Sequence, residues 1–367
     1  MRDEFEQRNI ETLPRLDSGE VRYARGWFML GPSTDFPGGE VRRLRYFNRE
    51  LAAFRGTSGK VAVLDAHCPH MGAHLGINGR VEGDLLRCPY HGTAFNLEGR
   101  SVEGPRGDNS ACESLTARPW TVREKNGLVL VWHDPEGNPP DFEIEMLEEY
   151  GTPGWSDWHF HKMELGVHPR EIIENIADRA HFVYVHGFDE VTEFKNEFYR
   201  HMATQYMAGK SEHGNNKSVA TYFGPAYQIT WMFNGTFHSR LLNAHTPVDE
   251  SHTHLWFGVI VKQEDVPRDQ VVLAAENEGP AIDLSSLSLD ELLSVYAQSV
   301  HQGFEQDVGV WRRKLYRTEP ILCDGDGPLA KCRKWYGQFY TDAKKLPALP
   351  QPPKTGLNPH IKYSPPG

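Results

Sequence analysis

Five cysteines among 367 residues are too few, and odd in number, for a disulfide scaffold, which points to a reducing compartment. No apolar run approaches the roughly 18 residues that a membrane-spanning helix needs. Met1 to Ile10 is charged throughout and does not read as a signal peptide. Positive charge is also short. Lys and Arg number 39 against 50 Asp and Glu, a net charge of −11, which suits neither nucleic acid nor an anionic membrane. No Gly-rich phosphate loop is present, so the chain is not expected to bind a nicotinamide cofactor itself. No internal repeat is visible. What is present is a composition that can bury a core, with 39% hydrophobic and 24% charged residues. At roughly 150 residues per domain, two domains in a soluble cytoplasmic protein are expected. Eighteen histidines against five cysteines hint at metal chemistry.

From about Arg25 short apolar runs recur at close spacing: Trp27–Leu30, Val41–Phe47, Leu51–Phe54, Val61–Leu64, Leu85–Cys88, Trp120–Val122 and Leu128–Trp132. Gly and Pro clusters separate them, as in a small all-β domain. Gly137-Asn138-Pro139-Pro140 reads as a linker. Beyond it, Pro169 to Val185 has a helical period, with Pro169 suited to the first turn. Strand-like runs follow at Ala203–Met207, Val219–Phe223, Tyr227–Phe233, Arg240–Ala244 and Leu255–Val261. Ser288-Leu-Asp-Glu291 has the capping-box pattern and opens a stripe through Leu289, Leu292, Leu293, Tyr296, Val300, Phe304 and Trp311. Helices flanking a run of strands predict an α+β second domain.

Cys68-Pro-His70 and Cys88-Pro-Tyr-His91 each offer one thiolate and one imidazole from a tight turn. Two cysteines on one iron and two histidines on the other make the ligand set of a Rieske [2Fe–2S] centre, which passes single electrons. A Cys2His2 zinc site is the alternative, but such sites pair like ligands, as C-x2-C and H-x3-H. His67 and His74 read as loop or surface residues, and Cys112, Cys323 and Cys332 as free thiols.

A second constellation starts at Asn175-Ile-Ala-Asp178-Arg-Ala-His181-Phe-Val-Tyr-Val-His186. On an ideal helix His181 and His186 lie about 140° apart, too far for one ion. A π-bulge, or a helix that ends between them, would bring them together. Asp307 occupies a position on the apolar stripe of the second helix, where an unpaired carboxylate is costly and a metal removes the cost. Glu305 lies about 200° away around that helix. His181, His186 and Asp307 would form the two-His, one-carboxylate triad of non-haem Fe(II) oxygenases.

Taken together, these motifs resemble the α subunits of Rieske non-haem iron oxygenases, from about Tyr23 to Tyr340. A narrower likeness to the 3-ketosteroid 9α-hydroxylase oxygenase components rests on Tyr23-Ala-Arg-Gly-Trp27, Val131-Trp-His-Asp-Pro-Glu-Gly-Asn-Pro-Pro140, Arg170-Glu-Ile-Ile173, Tyr222-Phe-Gly-Pro225, Phe304-x2-Asp307-x3-Trp311 and Arg333-Lys-Trp-Tyr-Gly-Gln-Phe-Tyr340. The resemblance implies an N-terminal segment over 1–23 that packs with the catalytic domain. It implies an all-β Rieske domain over 24–137 and a helix-grip-like catalytic domain with an antiparallel sheet and flanking helices over 138–345. A Pro-rich tail would occupy 346–367. It implies a head-to-tail homotrimer, with the cluster of one subunit near the iron of the next. Asp178 would be the carboxylate linking a cluster histidine to an iron histidine, and Asn175 would lie near the iron. Electrons from NADH or NADPH would arrive through a separate reductase with a flavin and a ferredoxin-type cluster. The substrate pocket would be lined by Ile176, Gln205, Tyr222, Gln228, Thr230, Asn243, Phe304 and Trp311. Gln228 and Thr230 stand where that family favours an aliphatic residue and an asparagine. The segment Gln263–Leu287 diverges and reads as a lid or an insertion.

The basic run Val41–Arg49 could dock an acidic ferredoxin-like domain, but a solvated strand face is the favoured reading. His252 and His254 read as surface residues. The expected activity is insertion of one atom of O2 into a C–H bond of a steroid or similarly sized apolar ring system, the other atom leaving as water. The alternatives are O- or N-demethylation, desaturation or ring dihydroxylation of another substrate, and a non-catalytic Rieske electron carrier.

Overall fold

The computed structural model describes residues 4–104, 114–211, 214–234, 237–265, 271–272, 282–283, 286–347 and 350. Cys112, most of the Gln263–Leu287 segment and nearly all of the tail from Leu346 onward lie outside them. Among the described residues no helix is long and apolar enough to cross a membrane.

The chain forms two compact units. One comprises residues 13–146 with 245–254 and is built from small antiparallel sheets. Strands β1 (Gly26–Pro32), β9 (Val122–Lys125) and β10 (Leu128–His133) form the first sheet, with β10 central. All six residues of β10 are buried, which is why Leu128–Trp132 is a continuous apolar run and not an alternating one. β9 and β10 are joined by Asn126 and Gly127, both at positive φ, the pair that a two-residue hairpin turn favours. The second sheet is β2 (Val41–Tyr46), β3 (Arg49–Arg55) and β4 (Val61–Asp65). The third is β5 (Arg80–Glu82), β6 (Leu85–Arg87), β7 (Ala94–Phe95) and β8 (Ser101–Glu103). Phe54, Leu64, Leu75, Leu86 and Phe95 form a shared core that includes Cys68 and Cys88.

The linker expected at Gly137–Pro140 does not mark the passage between units; that falls at 146/147. Residues 138–145 are bound to the first sheet. Trp132 Nε1 donates to the Asn138 carbonyl, Arg25 pairs with Asp141 at 2.7 Å, and Trp27 Nε1 donates to the Phe142 carbonyl. The short range of a Pro-Gly signal gives no view of these partners, which lie more than 100 residues upstream for Asp141 and Phe142.

The other unit comprises residues 1–12, 147–244 and 255–367. It opens with α1 (Glu4–Glu11). Its seven-stranded sheet is built from β11 (His159–Leu165), β12 (Glu190–Phe198), β13 (Met202–Ser211), β14 (Gly214–Phe223), β15 (Tyr227–Asn234), β16 (Phe237–Pro247) and β17 (Thr253–Val261). Strands β12 to β17 lie side by side in chain order, with β11 outside β17. The helices are α2 (Pro169–Ile173), α3 (His181–Tyr184), α4 (Leu289–Trp311) and α5 (Leu329–Gly337). The Ser288–Glu291 capping box forms at the start of α4. Asn9 of α1 donates to the Lys314 carbonyl and accepts from the Tyr316 amide, while Arg170 donates to the Asn9 and Thr12 carbonyls.

The single helix expected over Pro169–Val185 is not formed. α2 gives way to a 3-10 turn over Glu174–Ala177, the backbone turns extended at Asp178 (φ −92, ψ 118), and α3 begins at His181. Asp178 explains the break. Its carboxylate accepts from the Ala180 and His181 amides, offering the backbone an alternative to the helical ladder. The 3-10 turn is closely approached by Gly327. A Cβ there would stand 2.2 Å from the Ala177 carbonyl oxygen, at a φ of +81. Gly327→Ala is expected to cost about 2–4 kcal/mol, seen as a lower denaturation midpoint of the tryptophan fluorescence.

Candidate active site

Two loops in the first unit adopt the same hydrogen-bond pattern. Cys68 donates its amide to the Ala73 carbonyl and accepts from Gly72; Cys88 donates to the Thr93 carbonyl and accepts from Gly92. Both glycines sit at positive φ (77 and 81), as the tight turn requires. Both cysteines are buried in the core, whereas His70 is exposed and His91 half-buried. Burial, with the neighbouring Cys88 thiol adding to it, pushes the Cys68 thiol up to about 11, so holding a metal here means displacing protons from sulfur.

The two imidazoles lie with ring centroids 4.8 Å apart. Two imidazoles bound to one ion by bonds of about 2.1 Å have centroids about 4.5 Å apart at a right angle and about 5.2 Å at the tetrahedral angle. The pair fits a shared ion, and two buried thiols beside it fit the thiolate half of a [2Fe–2S] cluster. His67 Nδ1 contacts the Gly72 carbonyl at 3.1 Å, and His74 Nε2 contacts Glu50 Oε2 at 3.3 Å, so both brace the first loop. Met71 and Tyr90, each more than 60% exposed, put an apolar rim beside the histidines.

The second centre is confined to the other unit. His181, His186 and Asp307 place one ligand atom each within 4.8 Å of one another. Among the described residues this is the sole such group. The ring centroids of His181 and His186 are 5.2 Å apart, again the separation of two imidazoles on one ion. They meet because α3 ends at Tyr184, between them. His186 Nε2 lies 3.4 Å from Asp307 Oδ2. Burial lowers His181, which keeps a neutral ring with a lone pair for a metal. Burial would lower His186 as well, but its bond to Asp307 outweighs this and raises it. Glu305 points away, 58% exposed and paired with His301.

Asn175 has a definite place. Its Nδ2 donates to Asp307 Oδ1 at 3.0 Å, and its Oδ1 accepts from Trp311 Nε1 at 3.2 Å. Asn175 and Trp311 thus fix the carboxylate. Asp178 differs from the implied arrangement. Its main-chain carbonyl, not its carboxylate, meets the His181 ring, at 2.8 Å from Nδ1; the nearest carboxylate oxygen is 3.9 Å away. The carboxylate, about a third exposed, accepts from the Ala180 and His181 amides instead. Gln306 was not singled out by its sequence pattern, because an exposed Gln off the apolar stripe carries no signal. Its Oε1 lies 3.2 Å from His186 Nδ1.

A cavity of about 240 Å³ opens at the three ligands. Ile176, Gln205, Tyr222, Gln228, Thr230, Asn243, Phe304 and Trp311 all line it, together with Phe182, Met207, Leu241, Phe257 and Val300. Gln205 spends its amide on the Ile176 carbonyl at 2.7 Å, so it ties β13 to the segment before the ligands. Gln228 stands opposite Asn243 across the β15–β16 pair, which puts two amides side by side on the cavity wall. Burial pushes the Tyr222 phenol up, so it stays protonated.

The remaining candidates do not join either centre. His252 contacts Asp249 at 3.1 Å and His254 contacts the Tyr46 hydroxyl at 3.0 Å. In the basic run, Arg43 is paired with Glu50 and Arg45 lies 3.7 Å from Asp249. Cys323 is exposed and Cys332 buried, both free.

Comparison with known proteins adds the following. The sequence matches the family described as the Rieske [2Fe-2S] domain over residues 26–117, and that described as the 3-ketosteroid 9alpha-hydroxylase C-terminal domain over residues 131–340. It is 36% identical to a 3-ketosteroid-9-alpha-monooxygenase, oxygenase component, of Rhodococcus rhodochrous, over 94% of this chain and 87% of that protein. It is 31% identical to a cholesterol 7-desaturase of Hemicentrotus pulcherrimus, over 89% of this chain and 72% of that protein. Among solved structures, dicamba monooxygenase bound to dicamba superposes with a TM-score of 0.66 at 19% identity, covering 86% of this chain and 96% of that one.

Proposed function

The chain belongs to the Rieske oxygenases that carry the 3-ketosteroid 9α-hydroxylase C-terminal domain, and from that membership we propose that it is the oxygenase component of a monooxygenase that hydroxylates a C–H bond of a steroid with a 3-keto group or of a similarly sized apolar ring compound. The observation that carries this reading is the convergence of His181, His186 and Asp307 in the lining of a largely apolar cavity. A Rieske cluster held by Cys68, His70, Cys88 and His91 would supply single electrons, and Fe(II) held by the triad would supply O2 activation.

The chain's own residues do the rest. Asn175, held by Trp311, keeps the Asp307 carboxylate oriented. The Asp178 carbonyl accepts a hydrogen bond from His181 Nδ1–H, which would leave the Nε2 lone pair for the metal. Ile176, Phe304, Phe257 and Leu241 exclude water from the ring system, and Gln228 with Asn243 supplies hydrogen bonds to an oxygen on the substrate. A separate reductase with a flavin and a ferredoxin-type cluster delivers the electrons of NADH or NADPH. That partner is supported by the name "oxygenase component" of the relatives. The exposed Met71 and Tyr90 beside the cluster loops, and the exposed Val183 and Tyr184 beside the triad, support a head-to-tail homotrimer in which one subunit's cluster serves the next subunit's iron. A monomer by light scattering would remove that assembly.

The reading is tested by incubating the iron-reconstituted chain with a ferredoxin reductase, NADH and a panel of 3-ketosteroids, reading O2 uptake and product mass. Product heavier by one oxygen supports hydroxylation. A second outcome is favoured by one specific observation, the likeness to a cholesterol desaturase: a product lighter by two hydrogens would assign desaturation instead. No coupled product from any steroid of the panel would sink the steroid reading. In the same panel Gln228→Leu is expected to raise KM about tenfold for the preferred oxygenated steroid, the worth of one lost hydrogen bond, and to leave kcat little changed.

A further inference from the structure

We infer that Gln306 is the positioning residue for His186, which rests on the proposed reading that His186 is an iron ligand. A ligating imidazole needs its second nitrogen tied, or the ring can rotate and change tautomer. His181 has this from main chain, the Asp178 carbonyl at 2.8 Å, which no substitution removes. His186 depends on a side chain. Its Nδ1–H donates to Gln306 Oε1 at 3.2 Å, leaving Nε2 on the side of Asp307 Oδ2.

The backbone does not compensate. His186 lies past the end of α3, between the cap residue Val185 and Gly187 at φ 65. Its amide keeps one long bond to α3, 3.4 Å to the His181 carbonyl, which leaves the rotation of the ring unfixed. Consecutive residues of α4 therefore grip one ring from two sides, Gln306 at Nδ1 and Asp307 at Nε2. Gln306 is exposed and does not line the cavity, so its role is separable from substrate contact and from core packing. The acceptor is a neutral amide, which holds the ring without adding a charge to a site that already has one carboxylate.

The test is Fe(II) uptake by the full chain with its cluster in place, measured by chelator competition for the wild type, Gln306→Leu, Gln306→Glu and Asp307→Ala. The EPR signal of the nitric oxide adduct of the bound iron is recorded for each. Gln306→Leu is expected to weaken Fe(II) binding about 10–100-fold and to broaden that signal. Gln306→Glu, which keeps an acceptor, is expected to restore the affinity while shifting the signal. Wild-type affinity and spectrum in Gln306→Leu, with uptake lost in Asp307→Ala, would overturn the positioning role alone. Equal weakening in the Leu and Glu variants would also overturn it, since the acceptor would then be irrelevant. No uptake by the wild type would overturn the underlying ligand assignment instead.

Discussion

Asp307→Ala is expected to reduce reductase-driven product formation to background, a loss well beyond the hundredfold that removing a residue behind a metal ligand typically costs, while the visible and EPR signatures of the Rieske cluster stay unchanged. Asp307 supplies the only carboxylate of the triad, and the cluster ligands lie in the other unit of the chain. The change leaves Asn175 Nδ2 without its acceptor, a cost of about 1–3 kcal/mol that lowers stability without removing the fold. Iron content, cluster absorbance and turnover measured on one preparation decide the matter. Full turnover in the variant would discard the triad. A lost cluster signal would show that the two centres do not fold independently. A non-catalytic electron carrier would show no effect of the substitution on any electron-transfer assay.

Cys68→Ala is the mirror experiment and its expected effect is as large. Removing one of two buried thiols should leave the cluster unassembled and turnover at background, with Fe(II) still bound at His181, His186 and Asp307. Cys68 lies in the core with Leu75, Leu86 and Phe95, and alanine fills most of its space. The fold of that unit should therefore persist. What should be lost is the cross-link between the two loops. Bound metal contributes on the order of 10 kcal/mol to the folding of small metal sites, so the amides of residues 68–73 and 88–93 should exchange hydrogen faster. Retained absorbance of a [2Fe–2S] centre in Cys68→Ala would remove it from the ligand set. Together the two variants separate the electron store from the oxygen-activating site.

Both candidate ligand sets were legible in the sequence because their members are close along the chain or sit on a regular period. Cys68 and His70, and Cys88 and His91, each belong to one turn that Gly72 or Gly92 makes possible. Asp307 stood out because α4 keeps its apolar stripe from Leu292 to Trp311, and a carboxylate on that stripe needs a reason. The same periodicity misled between Pro169 and Val185. Apolar residues there recur at helical spacing, but Asp178 captures two amides and breaks the run. The end of α3 at Tyr184, past that break, is what brings His181 and His186 together.

By itself the sequence determined the candidate chemistry: which thiols and imidazoles can share a turn, and which carboxylate is too buried to stand alone. Those are local properties, set by spacing and by the cost of burying charge. Only the tertiary structure decided how the ligands are aimed. Asn175 reaches Asp307 across 132 positions and Gln306 reaches His186 across 120. Gln205 is spent on the Ile176 carbonyl, while Gln228 and Asn243 meet on the cavity wall through the register of β15 and β16. Contacts of that kind form only when distant strands and helices pack, and no local pattern in the chain encodes them.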